Sequence, residues 1–153
     1  MQPKSAAILS LDTAAYASLY RNELVSNILP FWQNHSKDEM NGGFFTCLDR
    51  AGNVYDTDKF MWLQGREVWC FSYMYQHVEQ KKEWLEMALH GARFMQQHGR
   101  DVQGNWYFSV TADGKPLVQP YNIFSDCFRS IFNIRHTSAW FIGTKQRSGG
   151  KKW

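Results

Sequence analysis

Residues 42–55 read Gly-Gly-Phe-Phe-Thr-Cys-Leu-Asp-Arg-Ala-Gly-Asn-Val-Tyr, and residues 104–117 read Gly-Asn-Trp-Tyr-Phe-Ser-Val-Thr-Ala-Asp-Gly-Lys-Pro-Leu. A shift of 62 lays Phe44 on Trp106, Phe45 on Tyr107, Gly52 on Gly114 and Tyr55 on Leu117. Each stretch has the aromatic content of a short β-hairpin, with turns expected at Ala51-Gly52 and at Asp113-Gly114. A helical run follows each copy. A period of this length indicates a repeated helix-pair unit, and one such unit cannot bury its apolar face without neighbours.

The helical runs alternate in character. In Glu83–Gln97 the polar residues Glu83, Glu86, His90, Arg93 and Gln97 follow a 3-4-3-4 spacing, while Trp84, Met87, Ala88, Ala92, Phe94 and Met95 fill the other face. This is an amphipathic helix with one side in water. The Ala14–Ile28 run is similar, setting Arg21, Asn22, Ser26 and Asn27 against Tyr16, Leu19, Tyr20, Leu24 and Ile28. Asp12 is its expected N-cap, and Pro30 is expected to end or kink it. Phe60–Val78, by contrast, is apolar nearly all round, which predicts a helix enclosed by protein on most sides. Tyr121 to Phe132 has a similarly wide apolar girth. Outer, inner, outer, inner is the order of an all-α toroid of helix hairpins, with short β-hairpins between the pairs.

At 62 residues per unit, 153 residues supply about two and a half units. That is too few to close a ring, so the expectation is the truncated N-terminal part of an α/α barrel. The 44% hydrophobic and 16% aromatic content belongs to a packed chain rather than a disordered one. Charge divides the chain in two. Residues 1–128 carry 11 Lys+Arg against 14 Asp+Glu, whereas 129–153 carry Arg129, Arg135, Lys145, Arg147, Lys151 and Lys152 and no acid. Residues 1–128 are therefore read as the barrel portion, and 129–153 as a divergent, disordered basic tail. The tail lacks the interleaved aromatics and positioning fold of a nucleic-acid site, so no nucleic-acid partner is expected.

Cys47, Cys70 and Cys127 form no paired spacing and read as buried reduced thiols. The apolar run from Ala6 to Leu11 is too short for a signal peptide, and no stretch reaches a membrane span. A cytoplasmic protein with no membrane partner is expected.

The chemistry concentrates on the run beginning at Phe60. Trp62, Arg66, Trp69 and Tyr73 are spaced 4-3-4 and share one face, aromatic with a guanidinium in its middle. A buried arginine needs an ion pair, for which Asp58, Glu67 or Asp126 are candidates, or else a ligand. As a ligand clamp, its fixed charge and rigid donor fork suit an oxygen that gains negative charge during reaction. His90 and His98 lie eight apart with Glu86 one turn before His90, but no metal-binding spacing arises, and a solvated helix face explains them. His35 is expected at a helix end, and Asp126 on the fourth helix is expected to be structural. Nucleophile elbows, phosphate loops and dinucleotide fingerprints are absent.

Residues from about Tyr20 to Phe128 resemble the N-acylglucosamine 2-epimerase family, which includes renin-binding protein, cellobiose 2-epimerase and a mannose isomerase. The resemblance is carried by Leu29-Pro30-Phe31-Trp32, Asn41-Gly42-Gly43-Phe44-Phe45, the run from Lys59 through Gly65-Arg66-Glu67-Val68-Trp69, and Pro120-Tyr121-Asn122-Ile123-Phe124-Ser125-Asp126-Cys127-Phe128. It implies an (α/α)6 barrel, a homodimer, an amino sugar or other aldose as substrate, no metal or redox cofactor, and ATP as an allosteric effector. By the same resemblance Arg66 is the arginine that binds the carbonyl-end oxygens of the sugar, with Tyr121 and Trp62 lining the pocket. The implied reaction opens the sugar ring. One histidine then removes the C2 proton, and a second returns it to the opposite face. None of His35, His77, His90, His98 or His136 sits in a matching motif, so this chain is expected to be catalytically silent.

Overall fold

The computed structural model describes residues 12–118. In chain order they form α1 (Thr13–Glu23), a π-helical turn (Leu24–Ile28), α2 (Leu29–His35), β1 (Cys47–Leu48), β2 (Val54–Asp56), β3 (Lys59–Phe60), α3 (Met61–His77), α4 (Lys82–His98), β4 (Ser109–Val110) and β5 (Pro116–Val118). The expected fourth helix over 121–132, Asp126, Cys127, His136 and the basic tail lie outside the described residues.

Asp12 caps α1 as its sequence requires, its side chain accepting from the Ala15 amide at 3.0 Å. Pro30 does not end the helix. Helical backbone runs on to His35, and the wide turn at Leu24–Ile28, with the Leu29 amide bonded to the Leu24 carbonyl, lies immediately before the proline. A π turn lengthens the hydrogen-bond step, so the ring passes at a place where the α ladder is already broken. The apolar face of this run is a second departure. Tyr16, Leu19 and Tyr20 are exposed and no residue of α1 is buried; burial begins at Leu29.

The core lies between α3 and α4. All six apolar residues read from the α4 pattern are buried, while Glu83, Glu86, Arg93 and Gln97 are exposed. Phe44, fully buried, wedges into the hairpin opposite Gly91. A Cβ added there would lie 2.2 Å from the Phe44 ring and 2.7 Å from Val68. Side chains the size of Trp84, Phe71 and Phe94 each gain about 1.5–3 kcal/mol on full burial, so this contact is the main stabilising layer.

The repeat seen in sequence is a repeat of structure, and it begins earlier than the aromatic pairs. Lys37 bridges to Phe44 and Arg100 to Trp106, both antiparallel. Phe45 donates to the Ser36 carbonyl, and Tyr107 to that of Gly99. In each copy an aspartate closes the intervening turn: Asp38 accepts from the Met40 and Asn41 amides, Asp101 from Gln103 and Asn105. The turns at Gly52 and Gly114 have positive φ (+86° and +85°) and sit on His35 and His98; a Cβ would lie 2.2 and 2.1 Å from the imidazoles. Only glycine combines that backbone with that proximity.

The two hairpins are not equivalent in their surroundings. Among the described residues β1 and β2 pair only with each other, but β3 joins the second hairpin, giving the order β3-β4-β5. The Met61 amide also bonds to the Phe108 carbonyl at 3.0 Å. The strand leading into α3 is thereby stitched to the hairpin after α4.

Candidate functional site

Lys59 fixes the entrance to α3. Its ammonium is fully buried, 2.7 Å from Asp38 Oδ2 and 2.9 Å from the Ala112 carbonyl, and it also donates to Gly42 O. It rests 4.4 Å from the centroid of Phe94. One cation therefore ties the first loop, the second hairpin and α4 together. One turn into α3, buried Gln64 pairs with the Phe44 peptide, donating to its carbonyl at 2.7 Å and accepting from its amide at 2.8 Å. These two polar anchors set the register of the first two turns of α3, and with it the direction of the residues that follow.

The face predicted from the 4-3-4 spacing exists. Arg66 lies with its guanidinium 5.7 Å from the Trp62 ring centroid. Further along, Trp69 and Tyr73 are 5.3 Å apart and Tyr73 and His77 4.6 Å, so the aromatic file runs one turn beyond the expected end. The environment of this face differs from the sequence expectation. Arg66 is exposed rather than buried, and Trp69 and Tyr73 are 36% and 38% exposed. A helix apolar all round is open along this strip, which the long arginine stem and the amphipathic rings tolerate. Tyr121, the other predicted pocket residue, lies outside the described residues.

The acid at this end of α3 is the half-buried Glu67, a candidate partner for Arg66 in the sequence. It lines a cleft of about 340 Å³ between the first helical run and α3, with Leu24, Trp32, Leu63, Arg66 and Cys70 among its walls. Burial raises the Glu67 carboxyl from 4.5 to about 8, and its contact with the Ser36 hydroxyl lowers it only in part. Burial and the neighbouring Glu67 also push the Cys70 thiol up. Cys47 and Cys70 are free and half-buried, more open than the sequence reading had them.

Three of the described histidines, His35, His90 and His98, are engaged by the scaffold. His35 ends α2 as expected, against Phe31 at 5.0 Å and beneath Gly52. His98 packs beneath Gly114. His90 is half-buried rather than solvated, with Nε2 2.9 Å from the Gly43 carbonyl. Burial lowers its pKa below the usual imidazole value, partly countered by that carbonyl contact. Loop-directed contacts turned His90 inward although its neighbours on the polar stripe face water. Among the described residues no group of three His, Cys, Asp or Glu side chains is placed to hold a metal ion. No helix there is long and apolar enough to cross a membrane.

Comparison with known proteins places this arrangement. The sequence profile of the family described as N-acylglucosamine 2-epimerase (GlcNAc 2-epimerase) matches residues 43–133. N-acylglucosamine 2-epimerase of Mus musculus is 40% identical over 111 residues, 70% of this chain and 26% of that protein. A cellobiose 2-epimerase of Eubacterium cellulosolvens is 31% identical over 108 residues, 69% of this chain and 26% of its own length. The chain thus spans about a quarter of the curated relatives it matches. Among solved structures, cellobiose 2-epimerase from Bacillus thermoamylovorans superposes with a TM-score of 0.70 at 25% identity, covering 91% of this chain and 38% of that one. D-mannose isomerase matches with a TM-score of 0.69 at 20% identity, a likeness of fold alone. These neighbours make the helix pairs described here part of an (α/α)6 barrel. With the family match covering more than half of its length, the chain belongs to the N-acylglucosamine 2-epimerase family.

Proposed function

We propose that this chain carries the substrate-oxygen clamp of a sugar 2-epimerase, acting on N-acetyl-D-glucosamine and N-acetyl-D-mannosamine, and that by itself it binds sugar without turning it over. The observation that carries the reading is Arg66, exposed on the aromatic strip of α3 beside Trp62. A guanidinium offers a planar fork of donors to the carbonyl-end oxygens of an opened sugar and stabilises charge that develops there. The Trp62 ring supplies an apolar platform of the kind that meets a sugar's C–H face, and Tyr121 is the third member of this proposed pocket. The higher identity to N-acylglucosamine 2-epimerases than to cellobiose 2-epimerases supports the amino sugar over a disaccharide.

Epimerisation at C2 needs a base on each face of the carbon, and arginine donates hydrogen bonds rather than relaying protons. Among the described residues, His35, His90 and His98 are engaged in loop contacts. His77, although on the same strip, lies eleven residues along α3, about 16 Å from Arg66 at the helical rise. These positions support a chain that holds the sugar without a base of its own at C2. ATP as an effector and a homodimeric assembly belong to the same proposal through family resemblance, and a cytoplasmic location belongs to it through the unpaired cysteines.

The test is exchange of the C2 proton of N-acetylmannosamine in D₂O, followed by NMR, together with saturation-transfer binding. The expected result is no exchange above buffer, and weak binding that is lost in Arg66→Ala. Exchange above the buffer rate that Arg66→Ala abolishes would overturn the non-catalytic half of the reading. Absence of any Arg66-dependent sugar contact would overturn the other half.

A further inference from the structure

The second hairpin uses an edge that the first leaves open. Its strand β4 is held on both sides: β5 pairs Val118 with Ser109 and Pro116 with Val110, while β3 pairs Phe60 with Ser109 and Lys59 with Val110. The first hairpin reproduces one side at a shift of 62, with Cys47 opposite Asp56 and Leu48 opposite Val54. Even the irregularity falls at the same step, between Cys47 and Leu48 and between Ser109 and Val110. Among the described residues the other edge of β1 carries no strand. The helices show the same imbalance. β3 leads straight into α3, the apolar helix that covers the buried stripe of α4. The first helical run is the counterpart of α4, since His35 lies under Gly52 as His98 lies under Gly114. Among the described residues it has no strand-led helix of its own: Tyr16, Leu19, Tyr20 and Ile28 are exposed, and the cleft of about 340 Å³ opens beside Leu24, Ile28 and Thr46.

The second hairpin therefore specifies what fits the open place: a two-residue strand antiparallel to β1, then an apolar helix. The same shift of 62 carries Lys59-Phe60 to Tyr121-Asn122 and Met61 to Ile123. The run that follows has the apolar girth of α3, with Ile123, Phe124, Cys127, Phe128, Ile131 and Phe132. This segment lies outside the described residues. A helix of the α3 kind also needs a striped helix like α4 after it, and the sequence here turns basic and loses periodicity beyond Phe141. Each half lacks what the other offers. From this match we infer that residues 121–132 of one copy of the chain dock on a second copy, Tyr121-Asn122 adding to the free edge of its β1 and the helix after them covering the exposed face of its first helical run. The register follows from the second hairpin: Asn122 opposite Cys47, Tyr121 opposite Leu48, and the Ile123 amide donating to the Thr46 carbonyl as Met61 does to Phe108. The contact joins unlike faces, so it is not a two-fold dimer interface. It stands whether or not Arg66 binds sugar, and the open α1 face belongs to the dissociated chain.

The experiment mixes two versions of the full chain, both Cys70→Ser and Cys127→Ser and told apart by a mass tag. One keeps Cys47; the other carries Asn122→Cys with Cys47→Ser. Opposed residues of an antiparallel pair have Cα atoms about 4.5–5.5 Å apart, within disulfide reach. On addition of diamide the two thiols give their hydrogens to the reagent and form one bond between chains. The mixed adduct is expected to form about tenfold faster, or more, than with Gln119→Cys in place of Asn122→Cys, because residue 119 lies about 10 Å back along an extended strand. In a chain holding both Cys47 and Asn122→Cys, the bond should again link separate chains. The unaltered chain supplies a second readout. Amide hydrogen exchange over residues 46–48 should slow about tenfold between micromolar and millimolar chain, as the edge of β1 is covered. No mixed adduct, equal rates at the two positions, a bond closed within one chain, or exchange indifferent to concentration would each overturn the docking while leaving the proposed function of Arg66 untouched.

Discussion

At the residue scale, the carboxyl of the buried Lys59–Asp38 pair and the carboxyl of Glu67 are shifted in opposite directions. Lys59 and Asp38, 0% and 2% exposed, form a matched ion pair. Burial alone would push the Asp38 carboxyl up, but the Lys59 bond and the donors of Asn41 outweigh it and hold it below its ordinary value. Its contribution is therefore present above pH 3.8 and is lost as pH falls through the depressed folded value. Burial lowers Lys59 despite Asp38, so desolvation of the ammonium exceeds the pair's attraction. Asp38→Asn should cost about 3–5 kcal/mol in urea unfolding, because it leaves that ammonium buried without a countercharge. Lys59→Met should cost less, since Asp38 keeps the amide donors of Met40 and Asn41. Equal losses would show that Lys59 draws its stability from the Gly42 and Ala112 carbonyls instead. Glu67 has the opposite sign. The folded state holds its proton between 4.5 and about 8 where the unfolded chain does not, so its term falls with rising pH across that window. Periodicity put Trp62, Arg66, Trp69 and Tyr73 on one strip correctly. It could not tell that Arg66 rather than Glu67 faces out, because adjacent residues differ by only about 100° on a helix and both border the apolar girth.

At the element scale, the legible features were those written in local chemistry. The Asp12 cap, the buried stripe of α4 and the turns at Gly52 and Gly114 all follow from short-range rules. Of the two outcomes expected at Pro30, an end to the helix is excluded, and the π turn before it was not legible because it leaves no residue signature comparable to a cap. The addition of β3 to the second hairpin was also invisible, since a two-residue strand is fixed by its partner and not by its composition. The start of the repeat was readable: His35-Ser36-Lys37-Asp38 lies on His98-Gly99-Arg100-Asp101 at a shift of 63, one more than the aromatic pairs. That one-residue difference is absorbed by the turns that Asp38 and Asp101 close. The matching imidazole-under-glycine contacts make a paired prediction. Gly52→Ala should destabilise by at least the roughly 1–2 kcal/mol of an L residue held left-handed, plus the clash with His35. In a His35→Ala background the clash part should disappear and the backbone part remain. Gly114→Ala should behave in parallel with His98→Ala. Thermal unfolding of the two double-mutant cycles checks this, and full additivity in either would mean that the imidazole gives way freely.

At the scale of the whole molecule, the relatives explain why so much apolar surface is open on a chain with a well-packed centre. In an (α/α)6 barrel each helix pair meets neighbours on both sides and the inner helices face a shared lumen. Here the described residues expose Tyr16, Leu19 and Tyr20 on α1, and Trp69 and Tyr73 on α3. The chain spans 26% of the mouse relative, so most of the surface that completes the ring in that protein has no counterpart in the sequence given. Open faces of this kind bind amphiphilic dyes and weaken cooperativity, because α1 can detach without opening the layer between α3 and α4. The chain should therefore show helical circular dichroism, bind an apolar dye in native buffer, and melt over a broad range. Leu19→Lys with Tyr20→Lys should lower dye binding without shifting the later part of the melt, since no α1 residue is buried against the core. Gly91→Ala should shift that later part, because a methyl 2.2 Å from Phe44 overpacks the α3–α4 contact by about 1–3 kcal/mol. Separate responses to the two substitutions would establish two units of unequal stability. A single sharp transition of a monomer, moved by both and accompanied by no dye binding, would mean that α1 and the aromatic strip are covered in solution.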